Sequence, residues 1–374
     1  VSRSAGRAAD ATGHPPLWAS RAGVAELAVL SRHVHRAWAL PRTALGRAGW
    51  PPTLGQRLNL RWNYWWQAHL LDCLVDAQLR APTPTRQHLV ERLIRGIKVR
   101  NLGWWTNDYY DDIAWMGLAL MRAEQQLGIP VPGALDAIAK QLREGWTDHA
   151  GGGIWWRRRD SFKNVPANGP AAILLARLAR VTGQRTDLQR ARATVEWMEE
   201  RLADPRSGLL WDGLYINPDG SVRDVVRLVY TYCQGVFLGA CVELADDERS
   251  GPWLDLAERT VSAVISGVTT DGVINGQGGG DGGLFAAILA RYLAFAAPRL
   301  GRTAGGAASR LVYSSAEAAW RNRAAGPGGP LFGPDWSKPA VAPRSAGERK
   351  PERDMSVQVG GWMVLEAAAL LERA

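Results

Sequence analysis

The sequence predicts an all-α protein, an (α/α)6 barrel in which six inner helices are ringed by six outer ones. Three observations carry this. Apolar residues recur with a 3.6-residue period in about a dozen segments, and little of the chain alternates as a strand would. The segments differ in character: those starting near 61, 110, 167, 230, 282 and 355 are apolar almost all round, and those between are amphipathic. The apolar type returns about every fifty residues, the length of one helical hairpin, as a repeat architecture requires.

The expected helices span 21–37, 61–81, 85–100, 110–127, 133–146, 167–183, 186–203, 230–246, 252–267, 282–297, 305–324 and 355–373. In 110–127, Ile113, Met116, Leu118, Leu120 and Met121 leave no polar face, so the segment belongs inside. By contrast, 85–100 carries Gln87, Glu91, Arg92, Arg95 and Lys98, and 186–203 carries Arg190, Arg192, Glu196, Glu199 and Glu200, so both belong outside. Breakers such as Pro82-Thr83-Pro84, Gly151-Gly152-Gly153 and Gly278-Gly279-Gly280 separate the segments. The longest non-helical stretch, 326–352, opens with Gly326-Pro327-Gly328-Gly329-Pro330. No Ser/Gly linker divides the chain. One domain is therefore expected over 1–374, with 1–20 a poorly ordered N-terminal extension.

Composition narrows the function. Hydrophobic residues make up 46% and charged ones 22% of the 374, which is ordinary for a folded core. Tryptophan is not ordinary: its 18 copies outnumber 8 Tyr and 5 Phe, and it is paired at Trp65–Trp66, Trp104–Trp105 and Trp155–Trp156. Such faces fill cores or act as binding platforms. The net charge of +9 comes from scattered arginines, in a composition that reflects genomic base content. The longest basic run is Arg157-Arg158-Arg159 and no nucleic-acid signature accompanies it, so no nucleic-acid partner is expected. Attraction to an anionic envelope glycan or lipid headgroup fits the charge better. Cys73, Cys233 and Cys241 are odd in number and lack metal spacing, so they read as buried apolar residues; no metal and no cofactor are expected. No apolar run is long enough to span a bilayer, and Val1 to Arg21 has no signal-peptide core. The expectation is a monomeric, cytoplasmic protein with no integral membrane segment, unless a processed leader places it at the envelope.

In such a barrel the inner helices all point one way, so their N-termini converge. The residues there are Trp62 to His69, Asn107 to Asp112, Lys163 to Asn168, Tyr230 to Gln234, Gly278 to Asp281, and Ser356 to Gln358. Helix capping accounts for Asp and Asn at these places but not for the clustered Trp, Tyr and Gln, which suit a sugar-binding cleft. Asp111 and Asp112 stand out. Single acids in a first helical turn are common caps, whereas two in succession beside Tyr109-Tyr110 are candidate catalytic carboxylates. Their Cα atoms are about 3.8 Å apart, so the carboxyls can approach the ~5–5.5 Å of a retaining glycosidase; the ~6.5–9.5 Å of an inverting one fits less well.

The segments WNYWWQAHLLD (62–72), NDYYDDIAWMGLALMRA (107–123), GGGIWW (151–156), KNVPANGPAAILLARLARVTG (163–183), LLWDGL (209–214), YTYCQGVFLGACVEL (230–244), GGGDGGLFAAILARYL (278–293), LFGPDWSKP (331–339) and SVQVGGWMVLEAAALL (356–371) resemble glycoside hydrolase family 76, the endo-α-1,6-mannanases. The resemblance covers most of the chain from about 55 onward and implies one catalytic domain, an (α/α)6 barrel and retaining hydrolysis within α-1,6-mannan without a metal. It implies Asp111 as nucleophile and Asp112 as acid/base. The implied substrate-binding residues are Trp66, Gln67, His69, Tyr110, Trp155, Trp156, Asn164, Asn168, Asp212, Tyr232, Gln234 and Asp281. Each has a plainer reading as core filler, cap or turn residue. Cys233 replaces an expected Asn and Gly282 an expected Gln, which bears on subsite preference. The Arg/Ala-rich composition suggests an actinobacterial source, where the substrate would be the mannan backbone of lipomannan and lipoarabinomannan. Transglycosylation and mannan binding without catalysis are the alternatives. A terpene-cyclase acid motif, D-x-D-D, is not matched by 108–112.

Overall fold

The computed structural model describes residues 17–60, 62–247 and 251–374. Its helices are α1 Leu17–His33, the single turn α2 Leu54–Arg57, α3 Tyr64–Arg80, α4 Pro84–Arg100, α5 Tyr110–Leu127, α6 Ala134–Glu144 and α7 Val165–Thr182. They continue with α8 Arg185–Leu202, α9 Thr231–Asp247, α10 Trp253–Gly267, α11 Gly282–Ala296, α12 Arg302–Arg321 and α13 Met355–Arg373. Helices α3, α5, α7, α9, α11 and α13 pack in succession, and α13 returns onto α3 to close the ring. Helices α4, α6, α8, α10 and α12 each cover the inner helix before them, and α1 covers α13. The chain is an (α/α)6 barrel.

Local sequence sets the boundaries. Thr83 caps α4 by accepting from the Arg86 amide at 3.2 Å, ahead of Pro84 in the first turn. Gly128 and Gly183 end α5 and α7 in the left-handed conformation that a Cβ disfavours. At the N-terminus the helix begins earlier than its apolar pattern suggests. Residues 17–20, expected to be part of a disordered extension, are the first turn of α1; the rest of that extension, 1–16, lies outside the described residues. The amides of Trp18 and Ala19 donate to the Glu372 carboxylate at 3.1 Å, and the Trp18 ring tilts against Tyr313.

Short antiparallel hairpins decorate the connections: β1 Val34–His35 with β2 Leu45–Gly46, β6 Thr269–Thr270 with β7 Val273–Ile274, and β8 Ala324–Gly326 with β9 Gly329–Leu331. A three-stranded sheet orders β3 Phe162–Asn164, β4 Gly213–Ile216 and β5 Val222–Val226. It leads into α7 and stands beside the converging helix starts.

Four inner helices carry a buried carboxamide as their fourth residue, and each holds one returning backbone segment by both its N–H and its C=O. Gln67 of α3 accepts from the Gly46 amide at 2.8 Å and donates to its carbonyl at 2.9 Å. Asn168 of α7 does the same to Ile154 at 2.7 and 2.8 Å, and Gln234 of α9 to Leu210 at 2.8 and 2.9 Å. Gln358 of α13 holds Phe332 at 3.1 and 2.8 Å. The second amide hydrogen of each goes to a carbonyl just before or at its own helix start: Trp62, Asn164, Tyr230 or Glu352. An amide side chain matches a peptide unit in donor and acceptor, which no apolar residue can do.

The opposite end of the barrel is closed by charge. Arg122 pairs with Asp72 and Asp76, and Arg291 pairs with the same two aspartates at 2.7 and 2.6 Å. Among the described residues no helix is long and apolar enough to cross a membrane.

Replacing Gln234 by Leu keeps the volume but strands the Leu210 N–H and C=O in the core. The expected cost is about 2–4 kcal/mol, read as a lower urea midpoint at unchanged slope.

Candidate active site

The converging N-termini enclose a cleft of about 320 Å³. Inner helices contribute Trp65 from α3, Asp111 and Trp115 from α5, Tyr232 from α9 and Phe285 from α11, with Asn164 and Asp281 just before α7 and α11. The connections add Trp156, Phe162, Asp212, Tyr215, Val226 and Tyr230. One wall is aromatic: Tyr232 stacks on Phe285 with centroids 3.9 Å apart, and Tyr230 meets the same ring edge-on at 5.3 Å.

The two adjacent aspartates are held differently. Asp111 accepts at both oxygens, from the Asp112 amide at 2.8 Å and from the Trp156 indole at 3.0 Å. Asp112 accepts at one oxygen, from the Asn107 side chain at 2.7 Å. Asn107 is itself fixed, its carbonyl oxygens accepting from the Tyr109 amide at 2.8 Å and the Gln141 side chain at 2.6 Å. Burial pushes the Asp111 carboxyl up to about 6, against the pull of its two donors. Burial and then the neighbouring Asp111 charge push Asp112 well above the usual carboxylate range. The arrangement separates a carboxylate that ionises first from a partner that keeps its proton.

Besides Asp111, two carboxylates face the cleft. Asp281 accepts from the Trp65 and Trp66 indoles at 3.0 and 2.8 Å. Asp212 is tied by its backbone to Leu228 and Val165, both at 2.8 Å, which leaves its carboxyl facing the cavity. Burial first, then the Asp111 charge, raises it to about 7.

The loop carrying Trp156 is drawn in by Lys163. This buried ammonium donates to the carbonyls of Thr147, His149 and Gly152 at 2.8, 2.9 and 2.6 Å. Asn168 then clasps Ile154, two residues before Trp156.

Of the residues expected to bind substrate, Trp156, Asn164, Asp212, Tyr232 and Asp281 line the cleft, and Asn164 also caps α7. Trp66 lies just behind, holding Asp281. The remaining six are placed elsewhere. Gln67, Asn168 and Gln234 are fully buried and spent on the backbone clasps. Tyr110 turns toward α6, its ring filling the space over Gly145, because successive helical residues diverge by about 100° and Asp111 takes the inward direction. Trp155 and Trp156 turn to different neighbours: Trp156 reaches Asp111, while Trp155 lies against His149 and under the Lys163 ammonium. His69 is buried below the floor against Trp115, with ring centroids 4.6 Å apart. Burial, then Arg291, holds its pKa well below the ordinary histidine value. It borders a second cavity of about 520 Å³ at the opposite end, where the charged side chains largely pair with one another.

Trp65, Trp115, Tyr215, Phe285 and Asn107 were not among the expected site residues. Trp65 occupies the second helical position, as Asp111 does, and that shared phase is a usable signal. At Gly282 a Cβ would stand 2.0 Å from the Gln277 carbonyl, so the close approach of that loop requires glycine there. Cys233 is fully buried. Among the described residues no cluster of His, Cys, Asp or Glu is placed to hold a metal.

Comparison with known proteins bears on this site. The sequence model of Glycosyl hydrolase family 76 matches residues 47–365. Mannan endo-1,6-alpha-mannosidase DCW1 of Saccharomyces cerevisiae is 26% identical over 300 residues, which are 73% of this chain and 66% of that protein. The Candida glabrata DCW1 is 27% identical over 51% of this chain and 47% of its own length. The chain thus spans about half to two thirds of these curated relatives. The GH76A alpha-1,6-mannanase from Salegentibacter sp. HEL1_6 superposes with a TM-score of 0.82 at 30% identity, covering 95% of this chain and 99% of that one. An inactive variant of that enzyme, with two consecutive aspartates changed to asparagine, was solved with alpha-1,6-mannotriose.

A carboxyl whose pKa is raised on folding favours the folded state only at low pH. For Asp212 that contribution is complete below about 3.9, the unfolded value, and is lost as pH rises through about 7. Asp212→Asn should therefore raise the melting temperature at pH 8 and leave it nearly unchanged at pH 4, a difference that calorimetry at the two pH values reads directly.

Proposed function

The chain belongs to glycosyl hydrolase family 76, and on that footing we propose that it cleaves internal α-1,6-mannosidic linkages of mannan-type glycans with retention of configuration. The observation that carries this is the adjacent pair Asp111 and Asp112 at an aromatic cleft that Asp111 lines, one carboxylate doubly hydrogen-bonded and the other singly. The relative inactivated at two consecutive aspartates and bound to alpha-1,6-mannotriose supports the same reading.

Asp111, the more readily ionised, attacks the anomeric carbon and forms a mannosyl ester. Asp112 gives its proton to the departing glycosidic oxygen as that bond breaks. Water then enters, Asp112 removes its proton, and the oxygen attacks the anomeric carbon to release Asp111 and the shortened chain. Charge develops on the sugar ring in both steps, and the Asp212 and Asp281 carboxylates face the space where it forms. The Tyr232–Phe285 wall offers a flat face for a mannose ring. The mannan backbone of a lipoglycan such as lipomannan is the natural substrate we infer, consistent with an envelope glycan and the basic chain.

Incubation with α-1,6-mannotetraose tests this. Wild type should release shorter oligosaccharides whose first-formed reducing end is the α anomer by proton NMR. Asp111→Asn and Asp112→Asn should each lose at least about a thousand-fold in kcat/KM. Equal cleavage by all three proteins, or none by wild type, would contradict the assignment. The pH profile should rise as Asp111 ionises near 6 and fall at higher pH as Asp112 loses its proton. Asn107→Ala removes a donor that favours the Asp112 anion, so the alkaline limb should move upward in pH while kcat falls.

A further inference from the structure

Beside the cleft, three connecting segments turn large apolar side chains outward. Leu54, Leu58 and Leu60 are 72%, 48% and 69% exposed, Leu102 is 81%, Trp104 is 71% and Trp38 is 45%. Specific bonds gather these segments. The Trp38 indole donates to the Leu58 carbonyl at 2.9 Å, and Arg100 donates to the Asn59 carbonyl at 2.9 Å. The same Arg100 lies over the rings of Trp38 and Trp62, at 5.5 and 4.9 Å. Leu102 and Trp104 follow directly in a turn whose Gly103 amide donates to the Lys98 carbonyl at 2.8 Å. Trp38, Asn59 and Leu102 adopt φ values of 44°, 56° and 56°, uncommon for residues with side chains. At Trp38 and Leu102 the backbone is thus specially turned where an apolar group is presented to solvent.

Along these segments of the chain the charge is one-sided. Between Glu26 and Asp72 the sequence holds no acidic residue. Arg36, Arg42 and Arg57 are exposed in that interval, and the last turns of α4 add Arg95, Lys98 and Arg100. The nearest acids along α4 and beyond it are Glu91 and Asp108. Leucine and tryptophan set among arginines is the composition of a surface that seats at a lipid–water interface, the rings and Leu side chains entering the headgroup boundary while the guanidiniums meet phosphates. A second copy of the chain would bring these arginines against each other, and a polyanionic glycan would leave the leucines exposed to water.

We propose that this patch docks the protein on an anionic membrane surface. The patch adjoins the cleft: the Tyr64 hydroxyl donates to the Trp105 carbonyl at 2.6 Å, and Trp65, the next residue of α3, lines the cavity. A docked chain therefore holds its cleft next to the bilayer, within reach of glycans that rise from it. Membrane binding does not depend on which glycan is cleaved.

Cosedimentation of the purified full chain with vesicles tests the proposal. Vesicles of phosphatidylglycerol mixed with phosphatidylcholine should retain wild type at least about ten-fold better than phosphatidylcholine alone, with the preference falling in high salt. Leu102→Ser/Trp104→Ser and, separately, Arg42→Glu/Arg57→Glu should each weaken retention about ten-fold or more. Both should keep the wild-type melting temperature and turnover of soluble α-1,6-mannotetraose. Three results would overturn the proposal: wild type not retained, both variants retained as well as wild type, or a wild-type dimer made monomeric by Leu102→Ser/Trp104→Ser with vesicle binding unchanged. Retention is read without turnover, so its failure and a failure of the mannanase reading are distinguishable.

Discussion

The site depends on the buried carboxamides that bind returning backbone to the inner helices. Each satisfies a peptide N–H and C=O that would otherwise be stranded in the core, at a cost of about 1–3 kcal/mol per group. Asn168 fixes Ile154 and so the course of the chain to Trp156, whose indole reaches Asp111. Gln234 fixes Leu210, two residues before Asp212. The fourth residue of α5 is Ile113 and that of α11 is Phe285, so these two helices lack the clasp. They begin instead at acids, Asp111 and Asp112 in α5 and Asp281 just before α11, of which Asp111 and Asp281 line the cleft. Four starts serve as anchors, and the other two place acids in the cavity.

Crowding acids behind aromatic walls opposes stability above pH 6. Burial pushes Asp111, Asp112 and Asp212 upward, and a neighbouring charge adds to it, that of Asp281 at Asp111 and that of Asp111 at the other two. A chain selected only for stability would replace them with amides. Their presence together, with distinct donors on Asp111 and Asp112, is the electrostatic signature of a proton-transferring site. The Asp72–Arg122–Asp76–Arg291 group at the other end is charged too, but each acid there meets two arginines. Unbalanced acids mark the working end of the barrel.

The long helices were legible because the 3.6-residue period and the alternation of apolar and amphipathic segments are properties of many residues at once. The adjacent aspartates were legible for their adjacency. Direction at single positions was not. Tyr110 and Asp111 differ by one residue and point about 100° apart, and Trp155 and Trp156 likewise turn to different neighbours. Gln67, Asn168 and Gln234 looked like sugar ligands because an amide that binds backbone and one that binds hydroxyls are the same chemistry. Tyr215 sits on β4, a strand of four residues, too short for alternation to register. Asn107 reaches Asp112 only through the turn that precedes α5.

The division of labour between the two aspartates is the central claim, and covalent trapping tests it most directly. A mannosyl donor carrying a fluoride leaving group and a ring fluorine that slows hydrolysis should leave one sugar on the protein. Fragmentation of the labelled peptide by mass spectrometry should place that sugar on Asp111. A label on Asp112 or Asp212 would contradict the account.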